Sequence, residues 1–111
     1  LFILGNNGKI IELENLPKNV PEVNGTNNIK KVFQTIEIIN KSNLNIKNIK
    51  KIIFFPSGRI DVVFKNKKKI RFPTNLDIDN LNFSLRLIED EEFNKSKIID
   101  LRIPNKIITY D

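Results

Sequence analysis

The residues that could do chemistry are few, and their spacing works against catalysis. The chain has no histidine and no cysteine, so Ser–His and Cys–His nucleophile pairs, disulfides and ordinary zinc sites are all excluded. Its serines, Ser42, Ser57, Ser84 and Ser96, have no imidazole base. Asp77-Ile78-Asp79 begins like a calcium loop. Leu81, Asn82 and Ile88 then stand where the third ligand, the glycine and the closing glutamate belong. Glu89-Asp90-Glu91-Glu92 is the one carboxylate cluster, and its place after an apolar helical pattern reads as a solvated helix end. Gly58 stands alone, without a phosphate-loop pattern around it. We expect no enzyme, no cofactor and no metal site.

Two other stretches could bind rather than react. Lys65-Asn66-Lys67-Lys68-Lys69 is a basic cluster at an expected hairpin tip, and such a tip could contact phosphates. This makes a small basic module, binding nucleic acid or another anionic surface through Lys65–Lys69, the alternative reading. Against it, Phe33, Phe64, Phe72 and Phe83 fall at core-compatible positions rather than on a base-stacking platform. The net charge of +6 favours acidic partners in general, but a chain so rich in Ile, Asn and Lys also reflects A+T-rich codons. The second stretch closes the chain. Ile98 to Ile103 alternates like a strand, Pro104-Asn105 suits the centre of a turn, and Ile107 to Tyr110 is a second apolar strand. Asp100 and Arg102 share one face of the first strand, as an ion pair would. An uncharged terminal strand of this kind, with Tyr110 of a type common at interfaces, suits either β-augmentation by a partner or cover by residues after Asp111 in a longer protein.

The elements that must position these residues can be read along the chain. With 111 residues, one domain with a single core is expected. Leu1–Leu4 and Lys9–Leu13 around Gly5-Asn6-Asn7-Gly8 read as a hairpin, followed by a connection pinned by Pro17 and Pro21. Gly25 to Asn28 offers caps for a helix whose apolar stripe is Ile29, Val32, Phe33, Ile36 and Ile39. Ile46–Phe55, Arg59–Lys65 and Lys69–Phe72 form a meander turned at Pro56-Ser57-Gly58 and Asn66-Lys67-Lys68. Thr74, Asn75 or Asp77 caps a second helix with Ile78, Leu81, Leu85 and Ile88 inward. No apolar run approaches the length of a membrane span, and the absence of Met points to a segment of a longer protein.

In this order the motifs resemble those of the FtsQ/DivIB bacterial cell-division proteins. Ile99-Asp100-Leu101-Arg102 before a turn and an apolar strand is similar to the family's closing IDLR-type signature. Leu16-Pro17 through Val20-Pro21-Glu22-Val23-Asn24-Gly25 resembles its LPxLxG stretch. Ser57-Gly58-Arg59-Ile60-Asp61-Val62-Val63-Phe64 through Lys69-Ile70-Arg71-Phe72-Pro73 resembles its "GRWDLxLxNGxxIxLP" hairpin. Ile60 stands where the family commonly has Trp, and Asn66-Lys67-Lys68 replaces an Asn-Gly turn.

The resemblance implies a single FtsQ-type β domain over residues 1–111, with a membrane span and POTRA domain upstream. The expected fold is α+β: a mixed, largely antiparallel, curved sheet with two helices packed on one face. It further implies a soluble, non-enzymatic scaffold domain of a membrane-anchored protein at the division septum. That domain would face the periplasm or cell exterior and help control septal peptidoglycan synthesis. Its partners would be the FtsB/FtsL coiled-coil pair, adding a strand to the terminal edge. Carried onto this chain, Arg102 would pair with a partner carboxylate, and Ile103, Asn105 and Lys106 would be turn contacts. Ile107, Ile108, Thr109 and Tyr110 would be the docking edge, while Lys106 departs from the family's usual small residue.

Overall fold

The computed structural model describes Ile3–Leu4 and residues 21–110. Its strands are β1 (Ile3–Leu4), β2 (Glu22–Asn24), β3 (Ile49–Phe54), β4 (Ile60–Phe64), β5 (Lys69–Phe72), β6 (Ile98–Asp100) and β7 (Ile108–Tyr110). Helix α1 (Ile29–Lys41) lies between β2 and β3, and α2 (Ile78–Glu89) between β5 and β6. The strands make one sheet in sequential order from β1 to β7. β3–β4, β4–β5 and β6–β7 are antiparallel, and together they make the mixed sheet mostly antiparallel by paired residues. β1–β2, β2–β3 and β5–β6 are parallel, the last two joined through the helical crossovers such pairs require.

Of the expected opening hairpin, only Ile3–Leu4 falls among the described residues, and there it runs parallel to β2. Ile46–Asn48 is a 3-10 turn rather than strand, because the Asn45 side chain accepts from the Lys47 N–H at 2.9 Å and tightens the backbone. The strand expected over Ile98–Ile103 stops at Asp100. There the carboxylate accepts from the Arg102 N–H at 3.0 Å and turns the chain away from the ladder.

Pairing explains the core. Val23, Ile52, Val62, Ile70 and Ile99 are register partners in adjacent strands and cross the sheet as one fully buried row. Phe54, Ile60 and Phe72 form a second row beside it. Both helices pack on this face and contact each other. Asn28 caps α1 and Asp77 caps α2, each side chain accepting from the backbone N–H three residues on. The buried stripes differ from expectation by part of a turn. α1 buries Val32, Thr35, Ile36 and Ile39 while Ile29 and Phe33 stay exposed, and Thr35 is admitted because its hydroxyl donates to the Lys31 carbonyl. α2 buries Leu81, Ser84 and Leu87, which leaves Ile78 and Phe83 exposed.

Gly25 joins β2 to α1 where no side chain fits: a Cβ there would lie 1.8 Å from the Phe54 carbonyl oxygen, at a φ of +91°. The β3–β4 and β4–β5 turns share one design. In each the residue closing a three-residue loop takes a positive φ, Gly58 at 94° and Lys67 at 75°.

Candidate docking edge

Among the described residues β7 ends the sheet and has a neighbour on one side only, β6, with Ile98 opposite Tyr110, Ile99 opposite Thr109 and Asp100 opposite Ile108. This edge carries no charged residue and no proline, so its outer N–H and C=O groups are blunted by its shortness alone. The turn before it is built by its own residues. Pro104 fixes the first central position, Asn105 takes φ 61°, and the Lys106 N–H donates to the Ile103 carbonyl at 3.2 Å.

The turn faces the N-terminal half of α2 across a cleft of about 530 Å³, with Asn80, Phe83, Leu101, Ile103 and Ile107 among its walls. Ile103, Ile107 and Tyr110 are each 40% or more exposed, so the edge and its approach are apolar. A second cleft of about 590 Å³ continues the groove past Arg102 toward Ser57 and Arg59, sharing Pro73, Asn80 and Pro104. The Asn80 Oδ1 is buried in this region with no donor among the described residues. The sequence pattern does not mark Asn80 or Phe83 as site residues, and it puts Phe83 at a core-compatible position. Its signal was an aromatic off the apolar stripe of α2, two residues beyond Leu81.

Arg102 lies at the mouth of the groove. It pairs with the buried Asp100: Nε–H reaches Oδ1 at 2.9 Å and Nη2 reaches Oδ2 at 2.6 Å. Arg71, opposite Asp100 on β5, reaches the same Oδ2 at 3.5 Å and sets its guanidinium 5.5 Å from the Tyr110 ring. The Arg102 guanidinium holds the Asp100 carboxyl below its ordinary value, against the burial that alone would raise it. The same pairing raises Arg102. This ion pair orients Arg102 rather than hiding it, since 39% of its side chain stays exposed.

The same sheet face holds a second buried carboxylate. Asp61 is fully buried between Arg59, whose Nε–H reaches Oδ1 at 3.1 Å, and Lys69 at 3.4 Å. Arg59 also lies over the Phe55 ring at 3.9 Å.

The structure disperses the basic cluster read at the β4–β5 turn. Lys69 pairs with Asp61, and the Lys68 ammonium donates to three backbone carbonyls, those of Phe93, Asn94 and Ser96. Lys68 and Lys69 thus serve internal bonds rather than a phosphate-facing surface. Asp90 caps the 3-10 turn Glu91–Phe93, and the acidic run around it is exposed. Among the described residues no cluster of ligands could hold a metal ion, and no helix is long and apolar enough to cross a membrane.

The expected site residues therefore occupy one continuous strip. Arg102, Ile103, Asn105, Lys106 and Ile107 form the groove-side turn, and Ile108, Thr109 and Tyr110 form the outer strand. The chain matches no family model and no curated protein.

Proposed function

We propose that this chain is a non-enzymatic binding domain of the FtsQ/DivIB kind, which captures a partner strand along β7. On this reading its partners are FtsB/FtsL-like division proteins at the extracytoplasmic face of the membrane, where it helps control septal wall synthesis. The observation that carries the reading is the uncharged outer edge of β7, unpaired among the described residues, beside an apolar groove. Backbone ladder bonds supply affinity in such a mode, and pockets for alternate side chains supply selectivity. Ile103 and Ile107 give the groove its apolar wall, and Tyr110 a ring next to the new strand. Arg102, pre-oriented by Asp100, offers its exposed guanidinium surface to a carboxylate on the partner.

The test is a titration against the extracytoplasmic segment of an FtsB-like partner. Arg102→Glu and Ile108→Pro each abolish binding while circular dichroism reports a folded domain. Affinity unchanged by both substitutions would overturn the edge reading.

A further inference from the structure

Lys68 belongs to the β4–β5 turn, yet its side chain is bound to a distant segment. Its ammonium lies 2.8 Å from the Phe93 carbonyl oxygen, 3.0 Å from that of Asn94 and 2.9 Å from that of Ser96. An ammonium has three N–H donors and no acceptor, so three converging carbonyls match it completely. Those carbonyls belong to the chain leaving the 3-10 turn Glu91–Phe93, where backbone oxygens lack helical partners. The Phe93 carbonyl also closes a turn by accepting from the Ser96 N–H at 3.1 Å, which bends the segment around the ammonium.

The next residue in the chain begins the edge. The Lys97 N–H donates to the Tyr110 carbonyl at 2.7 Å, and the Lys97 carbonyl accepts from the Lys69 N–H at 2.9 Å. The carbonyl nest thus lies one residue from the bond that holds the end of β7, and Lys68 lies one residue from the β5 bond that holds Lys97. β6 and β7 each pair over only three residues, so they have few ladder bonds of their own to fix their place.

We propose that Lys68 is a positioning residue for the β6–β7 edge: its ammonium fastens the Phe93–Ser96 turn, which sets Lys97 and through it Tyr110. The Lys68 ammonium bonds go to the Phe93, Asn94 and Ser96 carbonyls, and it acts through the backbone it binds. Its importance for partner capture rests on the docking reading above, but its hold on the edge does not.

Two variants separate these claims. Lys68→Met keeps the aliphatic stem and removes the donors. Lys68→Ala leaves a channel that n-propylammonium, the missing part of the lysine side chain, can refill. Amide hydrogen exchange is read on the domain alone. In Lys68→Met the Lys97 amide and the β6–β7 amides exchange about tenfold faster or more, while those of Ile52 and Val62 keep their protection. In Lys68→Ala, n-propylammonium restores the slow exchange, and tetramethylammonium at equal ionic strength does not, because it has no N–H. Unchanged protection at β6–β7, or protection lost evenly across all strands, overturns the inference. Partner affinity is then compared with wild type. A drop of about tenfold in Lys68→Met, recovered by n-propylammonium in Lys68→Ala, extends the role to docking. Failure of the wild-type domain to bind any partner at β7 overturns the docking reading and leaves the exchange result to decide on Lys68.

Discussion

Lys67 shows what a single residue can cost. It stands at the left-handed position of its turn with φ 75°, while the matching position of the preceding turn is Gly58. A Cβ in that conformation is unfavourable by roughly 1–2 kcal/mol, and glycine returns part of that gain as chain entropy. Lys67→Gly should therefore stabilise the domain by about 0.5–1 kcal/mol, seen as a higher midpoint in urea. Asp100 makes a prediction of different kind. Its folded carboxyl titrates below its unfolded value, chiefly because of the hydrogen bonds from Arg102. It therefore binds fewer protons folded than unfolded. Its contribution is present above the unfolded pKa, near 3.9, and is lost as pH falls through the depressed folded value. Urea midpoints measured from pH 6 to pH 2 should show this loss, and Asp100→Asn should remove that part of the pH dependence. An unchanged profile in Asp100→Asn would assign the acid sensitivity to other groups.

At the scale of elements, the connections carry more constraint than the strands they join. Gly25 lies against the Phe54 carbonyl, so β2 and the start of α1 depend on the lack of a side chain there. Gly25→Ala cannot keep both the positive φ and the contact. A loss of more than about 2 kcal/mol is expected by denaturant unfolding, a value in the tail of single-substitution effects. The terminal hairpin depends on its turn in a similar way. Asn105 holds φ 61° after Pro104, and Asn is among the few non-glycine residues that accept it. Replacing Asn105 with a β-branched valine should shift Ile107–Tyr110 out of register and weaken partner capture more than it lowers the urea midpoint. Equal affinity in Asn105→Val would mean that the partner does not read the position of β7.

Across the whole molecule, one sheet divides two chemistries. The helix-covered face carries the buried row from Val23 to Ile99, and the opposite face carries Asp61 and Asp100 under their arginines and lysine. A substitution should report which part it belongs to. Ile70→Ala, in the middle of the row, should cost about 2–5 kcal/mol of stability because it removes packing from a site that cannot collapse. Ile107→Ala is on the surface of the groove and should change stability by about 0.5 kcal/mol or less while lowering partner affinity. Stability and binding measured together on these two variants should separate the core from the docking surface.

Much of this was legible in local patterns. Alternation placed β4 and β5, period and caps placed both helices, and Pro104-Asn105 placed the turn before β7, because each depends on neighbours in the chain. The α+β class followed from the same reading. Pairing across distance did not. Parallel contacts of β2 with β3 and of β5 with β6 have no local signature, since crossovers rather than tight turns connect them. The exposure of Phe33 and Phe83 depended on how each helix rolled on the sheet, which periodicity fixes only to within part of a turn. Lys68 is the clearest case. In the sequence it is one lysine in a basic run, and only the folded chain brings Phe93, Asn94 and Ser96 within reach of its ammonium. Local propensity acts over a few residues, whereas a charged side chain is assigned its role by whichever groups the tertiary fold places within about 3 Å of it.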